Sequence, residues 1–266
     1  MEAVDEDEAT REQELNMQVT LIDFTGNNAP DPADYAAKLL IYCKSTRLTQ
    51  GEDLKRKIAS LAPDAVQREL SEIVMTIRSS WEMVDYTWQV TGVTRAFTHQ
   101  FVRSRHASFA QQAMRVADMS EFEHLVPDTV KKAGKEELWR LCMQMIASTY
   151  KELREADVPA QDARGVLPTN VLTNIVAKMN LRAFAELVGK RENLRAQGEY
   201  ADVVRLMKKE VLHVHPWTRP FLEPERTRVP ALDGLLQQAL GESSPVDKPE
   251  VNAALKELDM LRATWG

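Results

Sequence analysis

The stretch Arg95–Arg115, RAFTHQFVRSRHASFAQQAMR, decides how the rest of the chain is read. It sets four arginines, two histidines and three glutamines among Phe97, Phe101, Val102 and Phe109. A segment that only filled a core would hold few arginines, because an unpaired buried charge is costly. A merely solvated face would have little use for the phenylalanines. Guanidinium groups interleaved with rings and amides suggest a site for a flat, anionic ligand, since arginine offers phosphate a planar fork of donors and stacks on rings. The competing reading is an amphipathic helix with a basic face.

Working outward, Asp85 to Val93 (DYTWQVTGV) alternates large β-formers and predicts a strand leading into this stretch. Met17 to Phe24 (MQVTLIDF) predicts another. After the turn residues Asn27 to Pro32, Asp31 or Asp34 is placed to cap a helix carrying Tyr35 to Lys44. Asp53 to Leu61 and Ala65 to Ser79 read as helices broken by Pro63, and Glu136 to Glu155 as a long amphipathic helix. Residues 1–15 are acidic and almost free of apolar side chains, which predicts a mobile tail. Residues 16–222 form the main domain, and residues 223–266, entered through the proline-rich EPERTRVP, predict a helical extension. Strands and helices segregated in this way imply an α+β fold, a small antiparallel sheet surrounded by helices.

The 266 residues are 44% hydrophobic, enough for a sizeable core, and carry a net charge of -6. An acidic balance argues against a nucleic-acid-binding module, which wants a basic domain, but leaves room for a local basic pocket. Cys43 and Cys142 each sit in an apolar run and read as small buried core residues; neither lies in an arginine-lined context that would make it a thiolate nucleophile. No metal site and no membrane segment are expected, so the chain reads as cytoplasmic.

The stretch also resembles the core of the flavin-dependent thymidylate synthases, the ThyX family, whose context runs close to SRAxxHQxVRHRxASFNxxSxRY. Thr94, Arg95, Ala96, His99, Gln100, Val102, Arg103, Arg105, Ala107, Ser108, Phe109 and Arg115 match it identically or conservatively. Ser104 stands in place of the central His, Ala110 of the Asn, Ala113 of the motif Ser and Val116 of the Tyr. Upstream, WEMVDYTWQVTGVTR keeps the family's Glu as Glu82, with Met83 in place of the following His and Ile77 in place of an earlier one. Downstream, ARGVLPTNVLTNIVAKMNLRAF (Ala163 to Phe184) resembles the family's AR-x-VLP-x-N segment and the helix after it. Arg191 falls at the second nucleotide Arg, Arg195 replaces a His, and Glu199 keeps an acidic position. The resemblance spans roughly Met17 to Leu222.

It implies a homotetramer with active sites shared between chains. FAD, reduced by NADPH, and methylenetetrahydrofolate would serve one-carbon transfer to C5 of a pyrimidine nucleoside monophosphate, dUMP or dCMP. Carried over residue by residue, Gln100, Gln111, Arg115, Arg164 and Arg191 bind the nucleotide, with Arg191 also the catalytic residue at a pyrimidine carbonyl. Glu82, Arg103, Arg105, Asn180, Arg182 and Glu186 fall at flavin-lining positions, Glu186 replacing an Asn or His. The lost histidines and serine leave three readings open: methylation of dUMP, C5 hydroxymethylation of dUMP or dCMP, and a non-catalytic nucleotide- or flavin-binding homologue.

Overall fold

The computed structural model describes residues 17–46, 51–76, 78–191 and 198–223. The expected N-terminal tail, the extension beyond Glu223, and positions 77 and 195 lie outside them.

Strand β1 (Gln18–Phe24) is followed by helices α1 (Pro32–Ser45), α2 (Glu52–Ala59) and α3 (Pro63–Met75). Asp31 is the cap of α1: its side chain accepts from the Asp34 N–H at 3.0 Å, and Pro32 opens the helix with a φ already suited to it. Pro63 likewise begins α3. That helix ends at Met75, short of the expected Ser79, and the chain passes through a 3-10 turn, Arg78–Met83, into β2 (Asp85–Thr94). The arginine-rich stretch is not one helix. It divides into α4 (Arg95–Phe101), a turn, and strand β3 (Ala107–Gln111). Then come α5 (Asp128–Lys132), α6 (Glu136–Glu155, as expected), α7 (Ala160–Ala163), β4 (Leu172–Asn180), α8 (Leu181–Arg191), α9 (Gly198–Val214) and the short α10 (Arg219–Leu222).

The four strands form one antiparallel sheet in the order β1-β2-β4-β3, with helices around it, so the α+β expectation holds. The helix expected after the VLP segment is preceded by β4, a central strand that the sequence reading did not separate out. Its residues alternate: Thr173, Ile175, Ala177 and Met179 are buried, while Asn174 and Lys178 are exposed. That period of two is what a half-buried strand requires. Gly92, at φ 66, sits where the β2–β4 register shifts between Val90 and Val93, a left-handed position that suits glycine at a bulge.

Phe97 and Phe101 of α4 are fully buried and stack on each other at 5.0 Å. They belong to the core, which corrects the expectation that these rings alternate with arginines to face a ligand. A second correction concerns Cys142. It is exposed on α6, beside exposed Leu138, Leu141 and Met145, and Cys43 is only half-buried. An apolar run on a helix places residues on every side of it, and α6 turns only Met143 and Tyr150 fully inward.

The same core holds a buried aromatic group around His215. His215, 0% exposed, has its Nδ1 2.8 Å from the Tyr86 hydroxyl, Phe24 edge-on at 5.4 Å and Trp217 stacked at 5.6 Å. Burial pushes the His215 pKa down to about 4 and the Tyr86 phenol well above its usual range.

Candidate active site

The register of the sheet sorts the candidate residues into two groups. Asp85 lies opposite Asn180 and Ala107 opposite Met179, so one end of the sheet gathers Glu82, Asn180, Arg182 and the turn carrying Arg103 and Arg105. Thr94 lies opposite Leu172 and Gln111 opposite Ile175, so the other end gathers Arg95, Gln111, Gln112 and the segment after Arg164. The nine residues of β4 separate the two ends by about 26 Å, at ~3.3 Å of rise per residue.

At the second end the backbone does the assembling. Arg95 N–H donates to the Val171 carbonyl at 3.0 Å and Ala96 N–H to the Thr169 carbonyl at 2.8 Å. These bonds fasten the start of α4 to the loop that follows the 3-10 turn Arg164–Val166. Arg95 and Arg164 are thereby brought together. Burial, and then the nearby Arg164 guanidinium, hold the Arg95 pKa below its ordinary value. The Arg95 Nε is buried and has no hydrogen-bond partner among the described residues, while its Nη1 donates to the Gln112 carbonyl at 3.4 Å. Two guanidinium groups near enough to repel, one with an orphaned buried donor, would be stabilised by an anion bound there. Arg95 was not among the candidates. Its sequence signal was its place in the matching motif, but only the fold shows it near Arg164.

Gln111 Nε2 donates to the Thr98 hydroxyl at 2.8 Å, so its amide ties β3 to α4. Gln100 is half-buried in the last turn of α4. Arg115 is exposed on the turn that follows β3. Arg191, the last residue of α8, lies with its guanidinium carbon 4.3 Å from the centroid of the Tyr200 ring. Glu199 binds the start of α4 twice: its carboxylate accepts from the Thr94 N–H at 2.7 Å and from the Thr94 hydroxyl at 2.6 Å. The Thr94 hydroxyl in turn accepts from the Phe97 N–H at 3.0 Å, capping α4.

At the first end, Arg182 is held by Glu82 at 2.7 Å and by Glu186 at 3.5 Å. Asn180 accepts from the Ala183 N–H at 2.9 Å, capping α8. Met83, in the place of a family His, is exposed. The arginines of the scaffold, Arg56, Arg68, Arg140 and Arg205, each pair with a carboxylate three or four residues away. Arg95, Arg103, Arg105, Arg115, Arg164 and Arg191 meet no carboxylate within salt-bridge distance among the described residues. Also among the described residues, no group of three or more His, Cys, Asp or Glu is placed to hold a metal, and no helix is long and apolar enough to cross a membrane.

The fold is thus a four-stranded antiparallel sheet with arginines at both ends that pair with no carboxylate among the described residues. The family model described as Thymidylate synthase complementing protein matches residues 20–217. The chain is 32% identical over 181 residues to a flavin-dependent thymidylate synthase of Sulfolobus acidocaldarius, covering 66% of this chain and 68% of that one. It is 29% identical over 213 residues to one of Sulfurisphaera tokodaii, with 78% of each covered. It is 32% identical over 201 residues to one of Pyrococcus furiosus, covering 73% and 79% respectively. The chain belongs to the flavin-dependent thymidylate synthase family, ThyX.

The donor set fits the flavin that this family's name implies. Arg103 and Arg105 are exposed and free of carboxylates among the described residues, which suits the pyrophosphate of a flavin dinucleotide. Arg182 is less available as a charge, because Glu82 and Glu186 pair with it.

Proposed function

We propose that this protein transfers a one-carbon unit from methylenetetrahydrofolate to C5 of dUMP, with FAD as cofactor and NADPH as reductant, giving dTMP. The observation that carries the reading is the nearness of Arg95 and Arg164, two like charges of which the first has an orphaned buried donor. A nucleotide phosphate satisfies it. Arg115, on the turn after β3, and Gln111 add donors at the same end.

The chain's own groups bind, orient and polarise. Arg191 presents N–H donors to a pyrimidine carbonyl, where they stabilise the charge that builds up as C5 attacks the incoming carbon. Gln100 orients the base. Arg103 and Arg105 hold the cofactor's pyrophosphate, with Asn180, Arg182, Glu82 and Glu186 forming the wall beside it. When bound, the flavin supplies the reducing equivalent that turns the transferred carbon into a methyl group. No protein nucleophile is called on: Cys142 lies on the exposed face of α6 and Cys43 on α1, and burial pushes the Cys43 thiol up.

Gln100 sits beside Arg103, whose N–H donates to its carbonyl at 3.1 Å, but Arg164 and Gln111 lie toward the opposite end of the sheet from Arg103, Arg105, Asn180 and Arg182. This separation supports a homotetramer in which one chain's flavin end meets another's nucleotide end. A second product is favoured by one feature: Ala110 and Ala113 are exposed and small where the family carries Asn and Ser, and a wetter site lets water capture the transferred carbon as a hydroxymethyl group. Mass spectrometry of reactions containing FAD, NADPH, methylenetetrahydrofolate and either dUMP or dCMP tests the reading. A gain of one methyl group on dUMP is expected, and a gain of one hydroxymethyl group would select the second product. An unmodified nucleotide, with flavin bound, would overturn both in favour of a non-catalytic binder. Sedimentation showing a monomer that binds dUMP fully would refute the shared sites.

A further inference from the structure

Arg191 has an unusual support. Its guanidinium sits on the face of Tyr200 at 4.3 Å, and no carboxylate lies within salt-bridge distance of it among the described residues. A charge at the end of a long, flexible side chain would ordinarily be steered by a carboxylate. Here a ring takes that place. Stacking engages the face of the guanidinium and leaves its in-plane N–H donors for a ligand.

The ring is itself fixed. Tyr200 is fully buried, with Phe97 edge-on at 5.0 Å and Phe101 at 6.0 Å. The adjacent Glu199 grips Thr94 through two short hydrogen bonds, so the first turn of α9 is fastened to the start of α4. One dipeptide thus connects both arginine positions: Glu199 holds the residue next to Arg95, and Tyr200 lies under Arg191. The Tyr200 hydroxyl is buried and has no partner among the described residues. A phenylalanine would avoid the cost of that unmet hydroxyl. The ring's face, and not its hydroxyl, is therefore what the geometry uses.

We infer that Tyr200 is a positioning residue for nucleotide recognition: its ring holds the Arg191 guanidinium in the plane from which it meets the pyrimidine. The inference rests on the role given above to Arg191.

The test measures dUMP and FAD affinities and melting temperature for the full chain and for Arg191→Ala, Tyr200→Phe, Tyr200→Leu and the double variant Tyr200→Leu with Arg191→Ala. Pentafluorophenylalanine at position 200, close to phenylalanine in shape with its quadrupole reversed, is added because Leu in a packed core can unfold the chain. Tyr200→Phe should bind dUMP within about twofold of the parent, since a cation–π contact survives in it. The fluorinated ring and Leu should each weaken dUMP binding by about tenfold, within the range of a desolvated cation–π contact, and leave FAD affinity unchanged. In the Arg191→Ala background Tyr200→Leu should cost nothing further in dUMP affinity, because the two act as a unit. If Arg191→Ala binds dUMP as tightly as the parent, the role of Arg191 fails and takes the inference with it. If Arg191→Ala is weakened but the fluorinated ring binds like Phe, or the double variant shows additive losses, the inference alone is overturned.

Discussion

Acidification should destabilise this protein through one identifiable histidine. His215 is 0% exposed, shares a 2.8 Å contact with the Tyr86 hydroxyl through Nδ1, and has no hydrogen bond at Nε2 among the described residues. The carbonyls of Pro32 and Thr25 favour a proton on the ring, but burial outweighs them and lowers the pKa from 6.5 to about 4. The folded pKa thus lies below the unfolded one, so the unfolded chain binds the proton more tightly. Stability is then fully present above about pH 6.5 and is lost as pH falls toward about 4, where the folded ring also protonates. A gap of roughly 2.5 pKa units corresponds to about 3 kcal/mol, most of it lost by about pH 4.5. Urea denaturation at about pH 7.5, 5.5 and 4.5 measures it, comparing the parent with His215→Gln, which cannot titrate. The variant should be less stable at neutral pH, because packing is lost, and its stability should fall less steeply with acid. Identical pH slopes in the two proteins would refute the reasoning, since carboxylates elsewhere would then account for the whole acid response.

Arg95→Ala and Arg164→Ala should each weaken dUMP binding by about 1.5–3 kcal/mol, a charged hydrogen bond's worth, with FAD affinity unchanged in calorimetry. Neither should lower the melting temperature appreciably, because each relieves a like-charge contact. Glu199→Ala leaves the buried N–H and hydroxyl of Thr94 without their acceptor and should cost about 2–4 kcal/mol by chemical denaturation, with Glu199→Gln intermediate. In the native protein Cys142 should react rapidly with a thiol reagent and Cys43 slowly, as exposure and the raised Cys43 pKa dictate; equal rates would contradict the placement of α6.

What was legible in the sequence was mostly local. The alternation of DYTWQVTGV and MQVTLIDF, the Asp31-Pro32 helix start and the periodicity of α6 all express short-range geometry, and the structure has them within a few residues of the expected bounds. What escaped was set by tertiary contact. β4 was hidden because apolar Leu172 and Val176 occupy outward positions and polar Thr173 an inward one, so that only the burial of Thr173, Ile175, Ala177 and Met179 reveals the period of two. Phe97 and Phe101 carry no mark in the sequence that tells a core ring from a ligand-facing one. Arg95 and Arg164 are far apart in sequence, and only the backbone bonds from Arg95 and Ala96 to Val171 and Thr169 bring them together. The motif arginines were recognisable as a group, but their division between two ends of a sheet needed the register.

The sheet contains no hairpin among its ladders. The partners nearest in sequence are Phe24 with Tyr86, Gln111 with Ile175 and Thr94 with Leu172, so every ladder closes a long loop. Helices α1–α3 fill the loop between β1 and β2, and α5–α7 the loop between β3 and β4. Local helix formation is fast and closure of long loops is slow, so the helices should gain structure first and the strands pair last. On the ribosome, β2 can pair with β1 early but has no central neighbour until β4 has been synthesised. The growing chain therefore presents an open strand edge for the time needed to make nearly eighty further residues, which is the interval in which a chaperone would be needed.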